Sequence, residues 1–227
     1  MTLEIRSLAS PAEYRACVAL QAEIWGEEFE SVPASTLQVA TYVGGLCLGA
    51  FARDGELRGF VFGPAGAIDG RPIHWSHLLG VKESARDLGV GRLLKEHQRR
   101  VLASRGIPEM CWTFDPLSAK NAHLNLNLLG ARVLRYMPDM YGVTESPLHH
   151  GLATDRLLVS CSTEQTARVP DPAPALADVA VPVLTPAPQP GDDVLERDGR
   201  EFSSLRIEVP TDFPQLIARS PSPAIAR

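Results

Sequence analysis

The spacing of apolar residues near the start of the chain predicts a strand followed by two helices. Apolar and polar positions alternate over residues 3–8, as is typical of a half-buried strand. Apolar residues at helical spacing follow. The predicted helix has a clear N-terminus, because Ser10 suits the N-cap, Pro11 suits the first helical position and Glu13 completes a capping box. A second, shorter helix is predicted within residues 34–43.

Short apolar runs then replace the helical spacing. They cover residues 46–53, 57–63 and 73–81, and an Asp-Gly pair stands in each gap between them. Because an Asp-Gly pair supplies the positive φ angles of a tight hairpin, three consecutive antiparallel strands are predicted.

The pattern changes again after residue 81. Residues 89–104 are predicted to form an amphipathic helix, with Leu93 and Leu94 on its apolar face and Lys95 on its polar face. Further elements are predicted as a strand over 109–115, a helix over 118–129 that stops at Gly130, and strands over 131–137 and 156–161. A strand, a helix and a strand in close succession indicate a parallel crossover. The predicted fold class is therefore α+β with a mixed sheet.

The C-terminal part of the chain has a different composition. Seven prolines stand between positions 170 and 190, so residues 163–198 are predicted to be an extended linker without helix or ladder. Beyond them, residues 202–209 alternate weakly like a strand and residues 211–218 suit one or two helical turns. Residues 199–227 are too few to fold alone. We expect this extension to dock on the domain formed by residues 1–162, or on a neighbouring subunit in a homodimer.

Composition narrows the class of protein. The 227 residues are 44% hydrophobic, enough for a buried core, and the net charge is −5 without a block of Lys and Arg. Nucleic acid is therefore not an expected partner. No apolar run is long enough to span a bilayer, and the N-terminus does not resemble a signal peptide. The four cysteines show no close pairs, so we expect reduced, buried thiols in a cytoplasmic protein.

One local motif carries chemistry: Arg86-Asp87-Leu88-Gly89-Val90-Gly91, between a predicted strand and a predicted helix. Two closely spaced glycines allow a tight turn, and the amides at the helix start form an anion site that suits a pyrophosphate. Arg86 and Arg92 add charge-assisted hydrogen bonds. The motif does not match a dinucleotide-binding site, because Leu94 occupies the position of the third glycine of Gly-x-Gly-x-x-Gly. Nor does it match a P-loop, because no Gly-Lys-Ser/Thr follows. The alternative is a glycine-rich helix entry without a ligand.

The Arg-x-x-Gly-x-Gly pattern, after a meander and before a helix, resembles motif A of the GNAT superfamily of N-acyltransferases. Leu128-Leu129-Gly130-Ala131 resembles its motif B. Four further stretches resemble a branch of these acyltransferases that carries a C-terminal extension; they are SHLLGV (76–81), WTFDPL (112–117), NAHLN (121–125) and TDR (154–156). The resemblance covers about residues 1–162 and leaves out the Pro-rich tail.

The resemblance implies a GNAT-like mixed, mostly antiparallel, splayed sheet flanked by helices, with coenzyme A in the opening. The pantetheine arm would lie along Leu79 to Val81, whose amides would hold the thioester carbonyl. The residues implied to bind the pyrophosphate are Leu88, Gly89, Val90, Gly91 and Arg92, and Asn121 would also contact the coenzyme. An amine would attack the acyl thioester directly, without an acyl-enzyme.

The candidate catalytic side chains include tyrosines, a histidine and an aspartate. Where the superfamily often has a tyrosine that protonates the thiolate, this chain has Leu126, which cannot donate. Tyr141 and Tyr136 are candidate replacements; the alternative is that each packs its ring. His77 is a candidate base for the amine or a hydrogen-bonded core histidine. Asp115 is a candidate acid–base group or a turn residue before a proline.

For the remaining candidate residues, a structural role is an alternative to a role in binding. Asp155 and Arg156 form an ion pair or recognise a carboxylate on the acceptor. His149 and His150 are adjacent and point apart on most backbones, so no metal is expected.

The sequence thus predicts an acyl-CoA-dependent N-acyltransferase, with an acetyl or succinyl donor, acting on a small amine such as an amino acid. The alternatives are a non-catalytic acyl-CoA-binding module and a protein acetyltransferase.

Overall fold

The computed structural model describes residues 2–142 and 154–164, together with two short strands at 183–184 and 206–207. Helices pack on both faces of β-structure, so the α+β prediction is confirmed. The elements are β1 (Glu4–Ser7), α1 (Pro11–Trp25), α2 (Ala34–Tyr42), β2 (Leu46–Phe51), β3 (Leu57–Gly63), β4 (Ala65–Ile68), β5 (Arg71–Trp75), β6 (Leu78–Val81), a 3-10 turn (Glu83–Ala85), α3 (Val90–Ser104), β7 (Glu109–Phe114), α4 (Ala119–Ala122), a π-helix (His123–Leu128), β8 (Arg132–Met137), β9 (Arg156–Ser162), β10 (Val183–Leu184) and β11 (Arg206–Ile207).

The strands form two main sheets that share one long hairpin. The first sheet has the order β1-β2-β3-β6 and is antiparallel; the second has the order β4-β5-β7-β9-β8, in which β5 and β7 run parallel. Only Pro64 separates β3 from β4, and only Ser76 and His77 separate β5 from β6. The hairpin therefore passes from one sheet into the other. Because β5 and β7 are parallel and α3 lies between them in the chain, the predicted parallel crossover is confirmed.

The tip of this hairpin is the predicted Asp-Gly turn. Asp69 has φ 49° and Gly70 has φ 76°, the positive values that such a turn requires. The sequence-based strand over 73–81 is wrong in one respect, because it is broken at Ser76 and His77. The break occurs where the chain changes sheets: the His77 amide still bonds to Phe62 O at 2.8 Å, whereas the Ser76 amide bonds to Cys111 O at 2.8 Å.

Ser10 caps the N-terminus of α1 as predicted. Ser10 Oγ accepts the Glu13 amide at 3.3 Å, and the Glu13 carboxylate accepts the amide of Ala9 at 2.7 Å and interacts with the Ser10 backbone. The same carboxylate binds Arg6 at 2.7 Å, and this hydrogen bond is the main reason why the Glu13 pKa falls to about 2. The start of α1 is thereby fixed to β1.

Helices α1 and α2 cover one face of the first sheet and α3 covers the other. The α1/α2 face buries Cys17, Leu20, Leu37, Phe60 and Phe62, and the α3 face buries Leu48, Ala50, Val61, Val90 and Leu94. A third cluster joins the C-terminal half of α3 to the second sheet and includes Leu102, Met110, Trp112, Leu129 and Val159. Each fully buried aliphatic or aromatic side chain contributes about 1.5–3 kcal/mol.

Helix α3 is rotated from the orientation that the sequence predicts. Leu93, assigned to the apolar face, is 44% exposed, whereas Lys95, assigned to the polar face, is 3% exposed and Arg99 is 8% exposed. These two cations find acceptors inside the fold, because Lys95 bonds to Ser76 and Arg99 bonds to Leu129 O at 2.9 Å. The binary pattern is therefore wrong at these positions.

The helix predicted over 118–129 is α-helical only at Ala119–Ala122 and continues as a π-helix over His123–Leu128. The wider turn is visible in the bond from the Leu129 amide to Leu124 O at 2.9 Å. It accommodates Asn125 as a buried residue whose Oδ1 accepts Trp112 Nε1 at 3.1 Å. π-Helical turns are rare and often occur at functional sites.

The C-terminal extension is described only in part. The strand predicted over 202–209 appears as Arg206–Ile207, parallel to Val183–Leu184. The expectation that the Pro-rich segment forms no ladder is wrong at Val183 and Leu184, where neither residue is a proline and both amides are present. The helical turns predicted over 211–218 and the His149-His150 pair lie outside the described residues. The domain boundaries at 162 and 198 stay predictions.

Two predictions from composition can be compared with the described residues. All four cysteines are free and buried, as expected. Within the described ranges, no helix combines the length and the hydrophobicity needed to cross a membrane.

Candidate active site

The sheet opens between β6 and β7. Strands β5 and β7 are paired at His74 with Met110 and at Trp75 with Cys111, and the Ser76 amide makes the last cross-strand bond. Beyond it, within the described residues, β6 pairs only with β3 and β7 only with β9. One edge of each strand therefore faces the opening, as the predicted splayed sheet requires.

The motif at Arg86 to Gly91 forms a tight turn beside β6. Asp87 and Gly89 have φ values of 62° and 73°, and α3 begins at the next residue, Val90. A Cβ built on Gly91 would contact Leu79 at 3.6 Å and Val81 at 3.8 Å, so the turn packs on the strand that borders the opening. A Cβ built on Gly89 would meet nothing within 4 Å, so this residue faces open space.

The turn presents a row of backbone donors. The amides of Leu88, Gly89, Val90, Gly91 and Arg92 have no acceptor within the described part of the chain. The first helical bond of α3 is made by the amide of Leu93 to Gly89 O at 3.0 Å. Unsatisfied amides at a helix start, with the positive end of the helix dipole, form an anion site. These are the five residues to which the resemblance to the GNAT superfamily assigns a pyrophosphate.

Charged and polar side chains surround the turn. Arg86 is exposed and has no ion-pair partner among the described residues, while Arg92 pairs with Glu96 at 2.7 Å. Lys120 Nζ lies 2.9 Å from Asp87 Oδ1, and this hydrogen bond lowers the Asp87 pKa. The pair fastens α4 to the turn and brings the exposed Asn121 into the same neighbourhood.

His77 lies at the break between β5 and β6, on the α1/α2 face of the sheet. Its ring meets the ring of Phe62 edge to face, with centroids 6.2 Å apart. No hydrogen bond from the described residues reaches the ring, and the residue is exposed overall. Partial burial of the imidazole lowers its pKa, which favours the neutral form of the ring. A neutral imidazole with a free nitrogen is suited to accept a proton.

Tyr141 lies across the opening from His77 on the same face. Its hydroxyl is 3.1 Å from Thr113 Oγ1, and strand alternation puts Thr113 on the face opposite to the side chain of Trp112. The guanidinium of Arg156 lies 5.5 Å from the centre of the Tyr141 ring. The structure thus brings two of the three predicted catalytic residues to one side of the opening.

The other candidates make local structural contacts. Asp115 follows β7, and its Oδ1 accepts the Leu117 amide at 2.8 Å in a turn. The hydroxyl of Tyr136 donates to Asp155, which raises the Tyr136 pKa to about 12, and the second oxygen of Asp155 accepts the amide of Asp139 at 2.8 Å. Asp155 is thus held by Tyr136 and by the Asp139 amide, and the positive charge of Arg156 also lowers its pKa. A catalytic role for Asp115 stays a prediction.

The α3 face of the opening holds a buried polar chain that the sequence analysis missed. Lys95 Nζ donates to Ser76 Oγ at 2.7 Å and lies 4.0 Å from the centre of the Trp112 ring. Ser76 Oγ donates to Gln98 Oε1 at 2.8 Å, and Gln98 Nε2 lies 2.9 Å from His74 Nε2. Burial lowers the Lys95 pKa to about 7 and the His74 pKa to about 4. Helical spacing could have indicated this chain, because Lys95 and Gln98 lie on the same side of α3 as the buried residues Leu94 and Leu102.

Leu126 lies on the π-helix and packs, partly buried, against the cluster that contains Trp112. It is an apolar contact and supplies no proton. Nor is a metal centre apparent, since no three His, Cys, Asp or Glu side chains come together within residues 2–142 and 154–164.

A cavity of about 460 Å³ lies away from this opening, at the first residues of β7. Its lining includes Arg71, Pro108, Glu109 and Arg132. The turn and the diverging ends of β6 and β7 contribute nothing to it, so it is not part of the candidate site.

Solved structures were compared with the described fold. An aminoglycoside 6'-acetyltransferase type Ii is 18% identical, with 72% of this chain and 99% of that chain covered and a TM-score of 0.56. A phosphinothricin acetyltransferase of the GNAT superfamily from Sinorhizobium meliloti, in complex with AcCoA, is 19% identical over 76% of this chain and 95% of that chain, with a TM-score of 0.57. The ribosomal-protein-S18-alanine N-acetyltransferase from Escherichia coli is 16% identical over 73% of this chain and 96% of that chain, also with a TM-score of 0.57.

No protein-family model and no curated protein sequence matches the chain. At these levels of identity the structural matches show the fold alone. They agree with the mixed α+β architecture and with the motif resemblance. The chain therefore has the fold of the GNAT superfamily of N-acetyltransferases.

Proposed function

We propose that this protein is an acyl-CoA-dependent N-acyltransferase, with an acetyl or succinyl donor, that acts on a small amine such as an amino acid. One observation carries the proposal: five consecutive amides without acceptors, from Leu88 to Arg92, lie at the start of α3 beside the strand that borders the opening. A row of free donors at a helix start fits a pyrophosphate, and an opening between two strand edges fits an extended chain that carries amides.

Coenzyme A fits the residues present. The five amides and Arg86 would hold its pyrophosphate, and Gly89 leaves space where a side chain would project. The free edge of β6, at Leu79 and Val81, offers backbone groups to the pantetheine amides and to the carbonyl oxygen of the acyl group. When bound, the coenzyme supplies an activated acyl group on a good leaving thiol. Hydrogen bonds from fixed backbone amides stabilise negative charge on that oxygen.

His77 is the group that we assign to the acceptor amine. An ammonium cannot attack, so a proton must leave the amine before or during the reaction. His77 has a free ring nitrogen and a lowered pKa, and it lies on the face of the opening that Tyr141 also borders. We assign Tyr141, with Thr113 as its hydrogen-bond partner, to orienting the acceptor.

The structural neighbours act on acceptors of two classes. Two of the structural neighbours are enzymes for small acceptors, an aminoglycoside and phosphinothricin, whereas a third acts on an alanine of a ribosomal protein. A panel of amino acids, other small amines and peptides, tested with acetyl-CoA and succinyl-CoA for release of free thiol, separates a small-amine enzyme from a protein acetyltransferase. Binding of coenzyme A without turnover over the whole panel would favour the non-catalytic module.

Gly89→Ala is expected to weaken coenzyme A binding at least tenfold. The residue has φ 73°, so the alanine is strained by about 1–2 kcal/mol, and its Cβ projects into the space assigned to the pyrophosphate. Gly106→Ala is the matched control, because Gly106 has φ 71° and nothing within 4 Å at the far end of α3. Calorimetric titration with coenzyme A should show a loss in the first variant only. Equal affinity in both variants would remove the turn from the binding site.

His77→Gln is expected to lower kcat about 100-fold, the usual contribution of a general base, with little change in affinity for coenzyme A. In the wild type, kcat should fall as the pH drops below the lowered His77 pKa, because the protonated imidazole cannot accept a proton. That acid limb should be absent from the variant. An unchanged kcat would assign the proton to solvent.

A further inference from the structure

The ammonium group of Lys95 lies at the closed end of the opening. It contacts Ser76, which makes the last bond between the diverging strands, and Trp112, on β7 just beyond that bond. Lys95 therefore occupies the α3 face at the level where β6 and β7 part. His77 occupies the opposite face at the same break.

This cation is buried without an opposite charge. Lys95 is 3% exposed, and no carboxylate within the described residues forms an ion pair with it. Removing an unpaired ammonium from water is costly, and apolar replacements of such groups often stabilise a protein. Its position beside the opening indicates a role in binding or chemistry, rather than in stability.

The ammonium also has unused donors. It has three N–H groups, of which one donates to Ser76 Oγ. The face of Trp112 is a second, weaker partner. Ser76 is held as an acceptor, because its own hydrogen is donated to Gln98, and Gln98 is held in turn by His74. At least one N–H of Lys95 therefore has no acceptor within the described residues.

We propose that Lys95 is the proton donor to the sulfur of coenzyme A in the acyl transfer. The inference rests on the proposed function. The amine nitrogen forms a bond to the thioester carbon while the carbon–sulfur bond breaks, and the sulfur leaves with the bonding electron pair. Lys95 transfers one proton to that sulfur, giving the free thiol and a neutral amine side chain. The acceptor nitrogen gives its proton to His77, and solvent restores both groups.

The ionisation of Lys95 suits this role. Its pKa of about 7 lies below the value of about 8.5 for an ordinary thiol, so proton transfer to a thiolate is downhill. Of the groups that surround it, His74 on β5 is neutral above about pH 4, and Arg99 on α3 stays charged. On the other elements that pack here, Asn125 of the π-helix and Trp112 of β7 do not titrate in this range.

The first test is binding and needs no turnover. Coenzyme A and desulfo-coenzyme A differ at the sulfur that Lys95 would contact. Wild-type protein should bind coenzyme A about tenfold more tightly, because the sulfur can accept the unused N–H of Lys95 and desulfo-coenzyme A has no acceptor there. Lys95→Met should bind both compounds equally. Lys82→Met is the control, because Lys82 is a cation next to β6 that pairs with Glu23 and Glu56, and it should keep the wild-type preference.

The second test is kinetic. Lys95→Met should lower kcat about 100-fold or more and should abolish the fall in kcat above pH 7 that the wild type shows as Lys95 loses its proton. Equal binding of the two compounds by the wild type, or an unchanged high-pH limb in the variant, would overturn the proposal. If neither compound binds to any of the proteins, the proposed function itself fails.

Discussion

Replacing Lys95 with methionine is expected to raise the free energy of unfolding at pH 6 by about 4 kcal/mol. Burial lowers the Lys95 pKa from 10.5 to about 7. Between these two values the unfolded chain holds a proton that the folded protein has released, so stability rises with pH across this window. Below pH 7 the folded protein must bury the ammonium. Methionine has a similar length and no charge, so the variant avoids this cost.

Denaturant unfolding at pH 6, 8 and 10 measures the effect. The difference between Lys95→Met and wild type should be largest at pH 6 and should nearly vanish at pH 10. Lys82→Met again serves as the control, because partners on the surface raise the Lys82 pKa and no gain in stability is expected from its removal. A loss of stability in Lys95→Met at pH 6 would mean that the Ser76 and Trp112 contacts outweigh the desolvation of the ammonium.

Gly63→Ala is expected to lower the free energy of unfolding by about 3 kcal/mol. A Cβ at this position would overlap the backbone oxygen of Trp75 and lie 2.5 Å from His74 Nε2. The backbone oxygen cannot move without separating β3 from the hairpin strand beside it. His74 supports Gln98 and, through it, Ser76, so the substitution should also disturb the hydrogen bond to Lys95.

Gly66→Ala, three residues further along the same hairpin, is the matched control. Its Cβ would meet Ile73 at 3.8 Å, an ordinary contact, so a change of at most about 0.5 kcal/mol is expected. Urea unfolding of both variants tests the prediction. Similar stabilities would show that the strands around Gly63 separate at little cost.

Features with a local cause were predictable from the sequence. The cap of α1 depends on Ser10, the hairpin tip depends on Asp69 and Gly70, and the turn before α3 depends on Gly89. Each signal lies within a few residues of the structure that it determines. For the same reason an anion site could be predicted from Arg86 to Gly91, and the resemblance to the GNAT superfamily then implied the five amides.

Features that depend on distant partners were not predictable. Lys95 is a polar residue in any binary pattern, and its burial requires acceptors and rings at Ser76 and Trp112 on two other strands. The π-helix has the same origin, because Asn125 turns inward towards Trp112 Nε1. Local signals in the sequence indicated the proposed anion site, whereas the buried lysine on the α3 face became visible only when the strands were assembled.

The break at Ser76 and His77 also has a consequence for local unfolding. Beyond this point the two sheets share no backbone hydrogen bonds within the described residues, and their connections are the long hairpin and α3. Cooperative units of a protein are set by such contacts, so the two halves can open with different free energies. A molecule that forms hydrogen bonds to both strand edges would join these units. Its binding would then raise the free energy of local opening in each of them.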